Sequence, residues 1–137
     1  MQKIMLRGTA HNGTYFVTEV KYQGTVSRYG YIVLPDKLPN YLVQDIKKIP
    51  VEGGWILDKY VIEQDRELIT VTKKDKKALH VICFNPDGNS IDLFSNIAFN
   101  SHDWQVSDIA SECVRVLKEI NIIFNKLQKR IDYKMKA

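Results

Sequence analysis

The sequence predicts an α+β fold: an antiparallel or mixed β-sheet of about five to seven strands, followed by one long C-terminal amphipathic helix. Two observations carry this. Residues 1–100 break into short runs of β-branched and aromatic residues separated by Gly, Pro, Asn and Asp. Over residues 103–133 the pattern becomes helical: Val106, Cys113, Ile120 and Leu127 recur every seven residues, with Ala110, Leu117, Phe124 and Ile131 four places after each. At 137 residues the chain has the size of one domain, so β-rich body and helix form a single unit, 1–137.

The elements follow in order. Asn12-Gly13 is a turn dipeptide, and residues 14–20 read as the strand after it, with a short helix as the alternative. Residues 25–34 form a second strand, apolar at consecutive positions and therefore partly buried on both sides, ended by Pro35. Residues 35–50 hold Pro35, Pro39 and Pro50 and read as a loop with one helical turn over 41–46. Residues 55–62, 68–72 and 78–84 are strands. The last two are expected to form a hairpin around the lysine-rich tip 73–77. A turn at 85–89 leads to a short strand over 90–94. Ser101 or Asp103 is placed to cap the final helix.

About 30 helical residues span roughly 45 Å, against a radius of gyration of about 14 Å for a compact chain of this length. The helix is therefore expected to overrun its body. Its stripe (Val106, Cys113, Leu117, Ile120, Phe124, Leu127 and Ile131) is expected to mediate homo-oligomerisation; the alternative is a bend near Asn121 or Asn125 that packs it wholly in cis.

Charge is concentrated at the same end. From Arg115 onward seven cations face two acids, an excess that suits either the negative helix C-terminus or an anionic partner. No apolar run approaches the roughly 20 residues of a membrane helix, and the start has no signal-peptide core, so a cytoplasmic protein without a membrane partner is expected. Cys83 and Cys113 fall in apolar patterns and read as buried small hydrophobes.

Catalytic signatures are absent. His11, His80 and His102 have no metal-ligand spacing, and no nucleophile elbow, phosphate-binding loop or dinucleotide fingerprint occurs. A non-enzyme without metal or cofactor is the expectation. Gly53-Gly54 before Trp55 suits a ligand-facing loop as well as a plain turn. Together with Phe84 as a stacking face and Arg115 and Lys118 as cations, Gly53, Gly54 and Trp55 are the candidate site for an anionic, nucleotide-like ligand. Lys126, Lys129, Arg130, Lys134 and Lys136 are the alternative, a nucleic-acid surface.

The order of motifs also resembles a known family. Gly30-Tyr31-Ile32-Val33-Leu34-Pro35, then Val51-Glu52-Gly53-Gly54-Trp55, then His80 to Asn85 with Asp92, then Glu112-Cys113 in the last helix, is similar to a family of small phage-encoded proteins. Those carry Gly-Tyr-Val…Pro…His-Pro, Val-His-Gly-Gly-Leu-Thr-Tyr and Gly-Phe-Asp…His…Asp stretches, then a helix with Glu-Cys…Leu. Here Leu38, Glu52 and Asn85 stand where the family has His, His and Asp. The resemblance implies phage origin and a compact sheet-plus-helix fold more than an activity; by analogy with small phage proteins that lack catalytic residues, a binding role against host defences is expected, directed at a nucleotide signal or a host protein.

Overall fold

The computed structural model describes residues 2–73, 75–86 and 104–136. Six strands form a closed antiparallel barrel in the order β1-β2-β3-β6-β4-β5: β1 (Gln2–Ala10), β2 (Gly13–Tyr22), β3 (Thr25–Val33), β4 (Trp55–Gln64), β5 (Glu67–Val71) and β6 (Leu79–Phe84). Helix α1 (Asn40–Lys47) links β3 to β4, and α2 (Val106–Lys136) follows the barrel. The α+β class and the closing helix are as the sequence predicts, and the strand number falls inside the predicted range.

Three tight hairpins set the registers. Ala10 pairs with Gly13, Tyr22 with Thr25, and Gln64 with Glu67, leaving two-residue loops at His11-Asn12, Gln23-Gly24 and Asp65-Arg66. All six loop residues have positive φ, as type I′ turns require to match strand twist. The turn expected at Asn12-Gly13 is thus centred one residue earlier. Gly13 itself opens β2, where a Cβ would overlap the Leu117 side chain of α2.

The expected hairpin of residues 68–72 with 78–84 is corrected. β5 pairs with β4 and β1, and β6 lies between β3 and β4. The Asp65-Arg66 loop lacks glycine, so its turn signal was weak, and it joins β5 to β4 instead. The predicted sheet also lacked β1. Its partly buried, Lys- and Arg-bearing sequence carries a register shift between Ile4 and Leu6, which breaks the period of two. β1 nonetheless closes the barrel through Gln2–Leu68 and Lys3–Glu67, with Ile4 N–H donating to the Arg66 carbonyl at 2.7 Å. The expected strand 90–94, most of the turn 85–89, and the caps Ser101 and Asp103 lie outside the described residues.

Alternation along the strands creates two cores. Phe16, Tyr31, Val61, Leu68, Val81 and Cys83 fill the barrel interior. Their neighbours Tyr15, Val17, Ile32, Leu34, Ile82 and Phe84 point outward and are covered by Val43 and Ile46 of α1 and by Ile109, Cys113, Val116, Leu117 and Ile120 of α2. This is why residues 25–34 are apolar at successive positions. At Gly30, a side chain would overlap the Phe84 ring and come within 3.1 Å of the Cys113 sulfur, so the absence of a Cβ lets the helix approach β3.

Helix α2 starts at Val106 and ends at Lys136, a few residues C-terminal of the predicted limits at both ends. The Asp108 carboxylate accepts the Gln105 N–H at 2.9 Å, one half of a capping box. Arg28 fixes the entry: its side chain pairs with Glu19 at 3.2 Å and donates to the Trp104 carbonyl at 2.9 Å. Among the described residues no helix is long and apolar enough to cross a membrane.

Ile109, on the barrel-facing side of α2, is fully buried. Replacing it with alanine is expected to cost about 2–5 kcal/mol, the range for emptying a buried branched side chain. Equilibrium urea unfolding followed by circular dichroism measures this as a lower midpoint at unchanged slope.

Candidate functional site

The structure brings most of the sequence-predicted ligand residues together, as a packing junction. Trp55 meets Phe84 edge-to-face at 5.6 Å, and its indole N–H donates to the Ile49 carbonyl at 2.9 Å. Phe84 is fully buried. Gly53 has φ +78°, and a Cβ there would overlap the Asn85 carbonyl oxygen. Arg115 reaches across from α2 to the Pro50 carbonyl and also holds Glu112. Gly54 has φ +73° in open space, and Lys118 is exposed on α2. Neither of the two clefts described next is lined by any of these six residues. The ring faces and the guanidinium are engaged in docking α2 and the Gly-Gly loop to the barrel.

Two substitutions separate these roles. Gly53→Ala is expected to cost more than Gly54→Ala, since both strain the backbone by about 1 kcal/mol but only the first adds a steric overlap. Thermal melts of the two variants measure the difference.

The polar cleft lies elsewhere, on the outer wall of β4 and β6 beside α1. It encloses about 570 Å³ and is lined by Asp58, Tyr60, His80 and the lysines Lys37, Lys73 and Lys76, among others. Strand pairing builds its floor. Tyr60 stands opposite His80 in the β4–β6 ladder, and the two rings stack at 4.9 Å with 15° between their planes. The His80 Nε2 meets one Asp58 oxygen, and Lys47 of α1 meets the other at 2.9 Å. Partial burial works to raise the Asp58 carboxyl pKa, but the hydrogen bonds from Lys47 and His80 outweigh it and hold Asp58 below the usual carboxylate range.

Lys37, Lys73 and Lys76 are exposed around the cleft, and among the described residues no ion pair engages them. Asp75 receives the Lys77 backbone N–H at 3.0 Å, which ties part of the loop between β5 and β6 to itself. Lys37 has φ +60°, an uncommon left-handed conformation for a lysine. The cleft's lining comes from three separate stretches of the chain, 36–43, 58–60 and 73–80, so only the lysine-rich tip 73–77 stands out in the sequence.

A second cleft, about 270 Å³ and mainly apolar, lies where α2 leaves the barrel, between Leu117, Ile120 and Phe124 on one side and His11, Gly13 and Pro35 on the other. Of the predicted oligomerisation stripe, Cys113, Leu117 and Ile120 are buried against the chain's own barrel, and Val106 and Phe124 are half-buried against the same core. This corrects the assignment of Val106 and Cys113 to a partner, since the barrel occupies that part of the face; Leu117, Ile120 and Phe124 pack on the barrel and also line the cleft. Leu127 is partly exposed and Ile131 is 44 % exposed. Burial also pushes the Cys113 thiol pKa far above its usual value, while Cys83 is buried inside the barrel. Among the described residues no group of three or more His, Cys, Asp or Glu is arranged to hold a metal.

Compared with protein-family models, curated proteins and solved structures, the chain matches none.

The ion pairing of Asp58 has a pH consequence. A carboxyl whose pKa is lower in the folded state adds stability that is present above the unfolded value of about 3.9 and is lost as pH falls through the folded value. Lys47→Ala removes a partner, so the Asp58 carboxyl is expected to titrate at higher pH than in the wild type. Carbon-detected NMR titration of that carboxyl measures the shift.

Proposed function

We propose that this chain is a non-enzymatic binding protein that holds a small phosphate-bearing, nucleotide-like ligand in the polar cleft over β4 and β6. The convergence of three exposed lysines, engaged in no ion pair among the described residues, on a cleft floored by a stacked tyrosine–histidine pair carries this reading. Its volume lies within the usual range for small-ligand sites, about 300–1,000 Å³. Lys37, Lys73 and Lys76 suit phosphate as flexible point charges, and the outward aromatic floor suits a planar base. Asp36, also on the lining, suits a sugar hydroxyl as an acceptor.

Binding is favoured over turnover by what surrounds the histidine. Asp58 divides its carboxylate between His80 and Lys47, an arrangement that fixes the floor. The described lining offers no serine, threonine or cysteine nucleophile. The resemblance to small phage-encoded proteins adds a setting: a cytoplasmic counter-defence role in which a nucleotide signal is sequestered.

Calorimetric titration with mononucleotides, cyclic dinucleotides and inorganic pyrophosphate tests the ligand class. Saturable heat with at least one nucleotide is expected, and Lys73→Ala together with Lys76→Ala should weaken it at least tenfold, about 1.4 kcal/mol. A folded wild type that binds none of these at millimolar concentration retires the reading.

A second reading is favoured by the exposed Lys126, Lys129 and Arg130 beyond the barrel: a nucleic-acid contact through α2. It requires binding that falls steeply with salt and is lost on neutralising those three residues, with the cleft lysines intact.

A further inference from the structure

We infer that the end of α2 pairs antiparallel with the same segment of a second copy, and that Ile131 of each copy docks at the apolar cleft of the other. The apolar stripe does not stop where the barrel stops. It runs from Ile109 to Ile120 under cover, through the half-buried Ile123 and Phe124, to the partly exposed Leu127 and the exposed Ile131. Residues 125–136 carry the helix a further 18 Å or so. A helix this short beyond its support keeps an apolar face by packing it.

Sterics choose the orientation. Over residues 109–120 the stripe face of each copy is occupied by its own barrel. Parallel pairing along that face would press two barrels together at the same height. It would also align Lys126, Lys129 and Arg130 with their own counterparts. Antiparallel pairing sends the barrels to opposite ends and offsets the basic residues along the axis.

The heptad pattern then chooses the register. With Phe124 opposite the partner's Leu127, Ile120 falls opposite the partner's Ile131, and both relations repeat by the two-fold. Asn121 and Gln128 of opposite copies flank these layers as polar neighbours. Sliding outward by one heptad would set Phe124 against Lys134, an apolar residue against a charge.

The chosen register brings Ile131 of one copy to the level of Leu117 to Phe124 in the other, where the 270 Å³ cleft opens. A space of about 150 Å³ already admits a benzene-sized group, so an isoleucine side chain fits. His11 and Asn12 rim the cleft. They leave its floor, formed by Leu34, Leu117 and Ile120, to the incoming aliphatic group.

Light scattering after size exclusion, combined with cysteine cross-linking of the full chain, tests this. A wild-type dimer is expected at tens of micromolar, and Leu127→Lys should make it monomeric while leaving the thermal melt of the barrel in place. Under mild oxidation the double variant Asn121→Cys, Gln128→Cys should give a covalent dimer, whereas Asn121→Cys alone should not; the native Cys83 and Cys113 are buried. A covalent dimer from Asn121→Cys alone would mean parallel helices and would overturn the register. A wild-type monomer at several hundred micromolar would overturn the pairing itself.

Discussion

Burial of the outer wall of β2, β3 and β6 under the first turns of α2 is the contact on which the rest of the structure depends. A closed small barrel fills its interior with side chains and turns polar groups outward. Here part of the outward set is apolar too: Val17, Ile32, Ile82 and Phe84. Without a cover, that wall would face water. Ile109, Cys113, Val116, Leu117 and Ile120 provide the cover, at about 1.5–3 kcal/mol for each full-sized aliphatic side chain. The total is comparable with the whole stability of an ordinary domain. The barrel and α2 therefore form one cooperative unit, with Gly13 and Gly30 as the two places where a missing side chain brings them into contact.

How far this was legible in the sequence follows from which signals are local. The period of α2 is local, and so is the double-sided apolarity of residues 25–34. Both survived into the structure. The pairing of β5 was not legible, because Asp65-Arg66 forms a type I′ turn without the glycine that usually advertises one. β1 was hidden for a related reason: a register shift interrupts its alternation, and its role in closing the barrel depends on a partner more than 60 residues away. In residues 35–50, one predicted helical turn became the eight-residue helix α1, because Leu42, Val43 and Ile46 find a core to bury against.

The candidate ligand residues show the limit more sharply. Gly53, Trp55, Phe84 and Arg115 do converge, so their grouping was sound, but the chemistry assigned to them was not what the packing uses. An aromatic ring and a guanidinium in a sequence look the same whether they await a ligand or serve the fold. Hydrogen-bond accounting separates the two. The Trp55 N–H and the Arg115 guanidinium both end on backbone carbonyls of the loop before the glycines, which makes Trp55 a strut between β4 and that loop and Arg115 one between α2 and the loop. Among the described residues, Lys37, Lys73 and Lys76 have no such destination. They became recognisable only once the fold placed them around Tyr60 and His80.

The filled interior also constrains where function can reside. Phe16, Tyr31, Val61, Val81 and Cys83 are essentially inaccessible, and the Tyr31 hydroxyl and the Thr18 hydroxyl both donate to the Gln2 side-chain carbonyl inside the barrel. Among the described residues, side chains fill the space a ligand would need, and these polar groups satisfy each other. Recognition is left to the outside. On one side the wall is sealed by α2, with Arg28 and Arg115 holding the helix at its start and along its first turns. Two of the surfaces left open are the β4–β6 face and the length of α2 beyond the barrel. The first is polar and built around a positioned imidazole. The second is an apolar stripe with a basic back. The proposed anion uses the former and the proposed second copy the latter, so the two can be occupied at the same time without competing for any side chain.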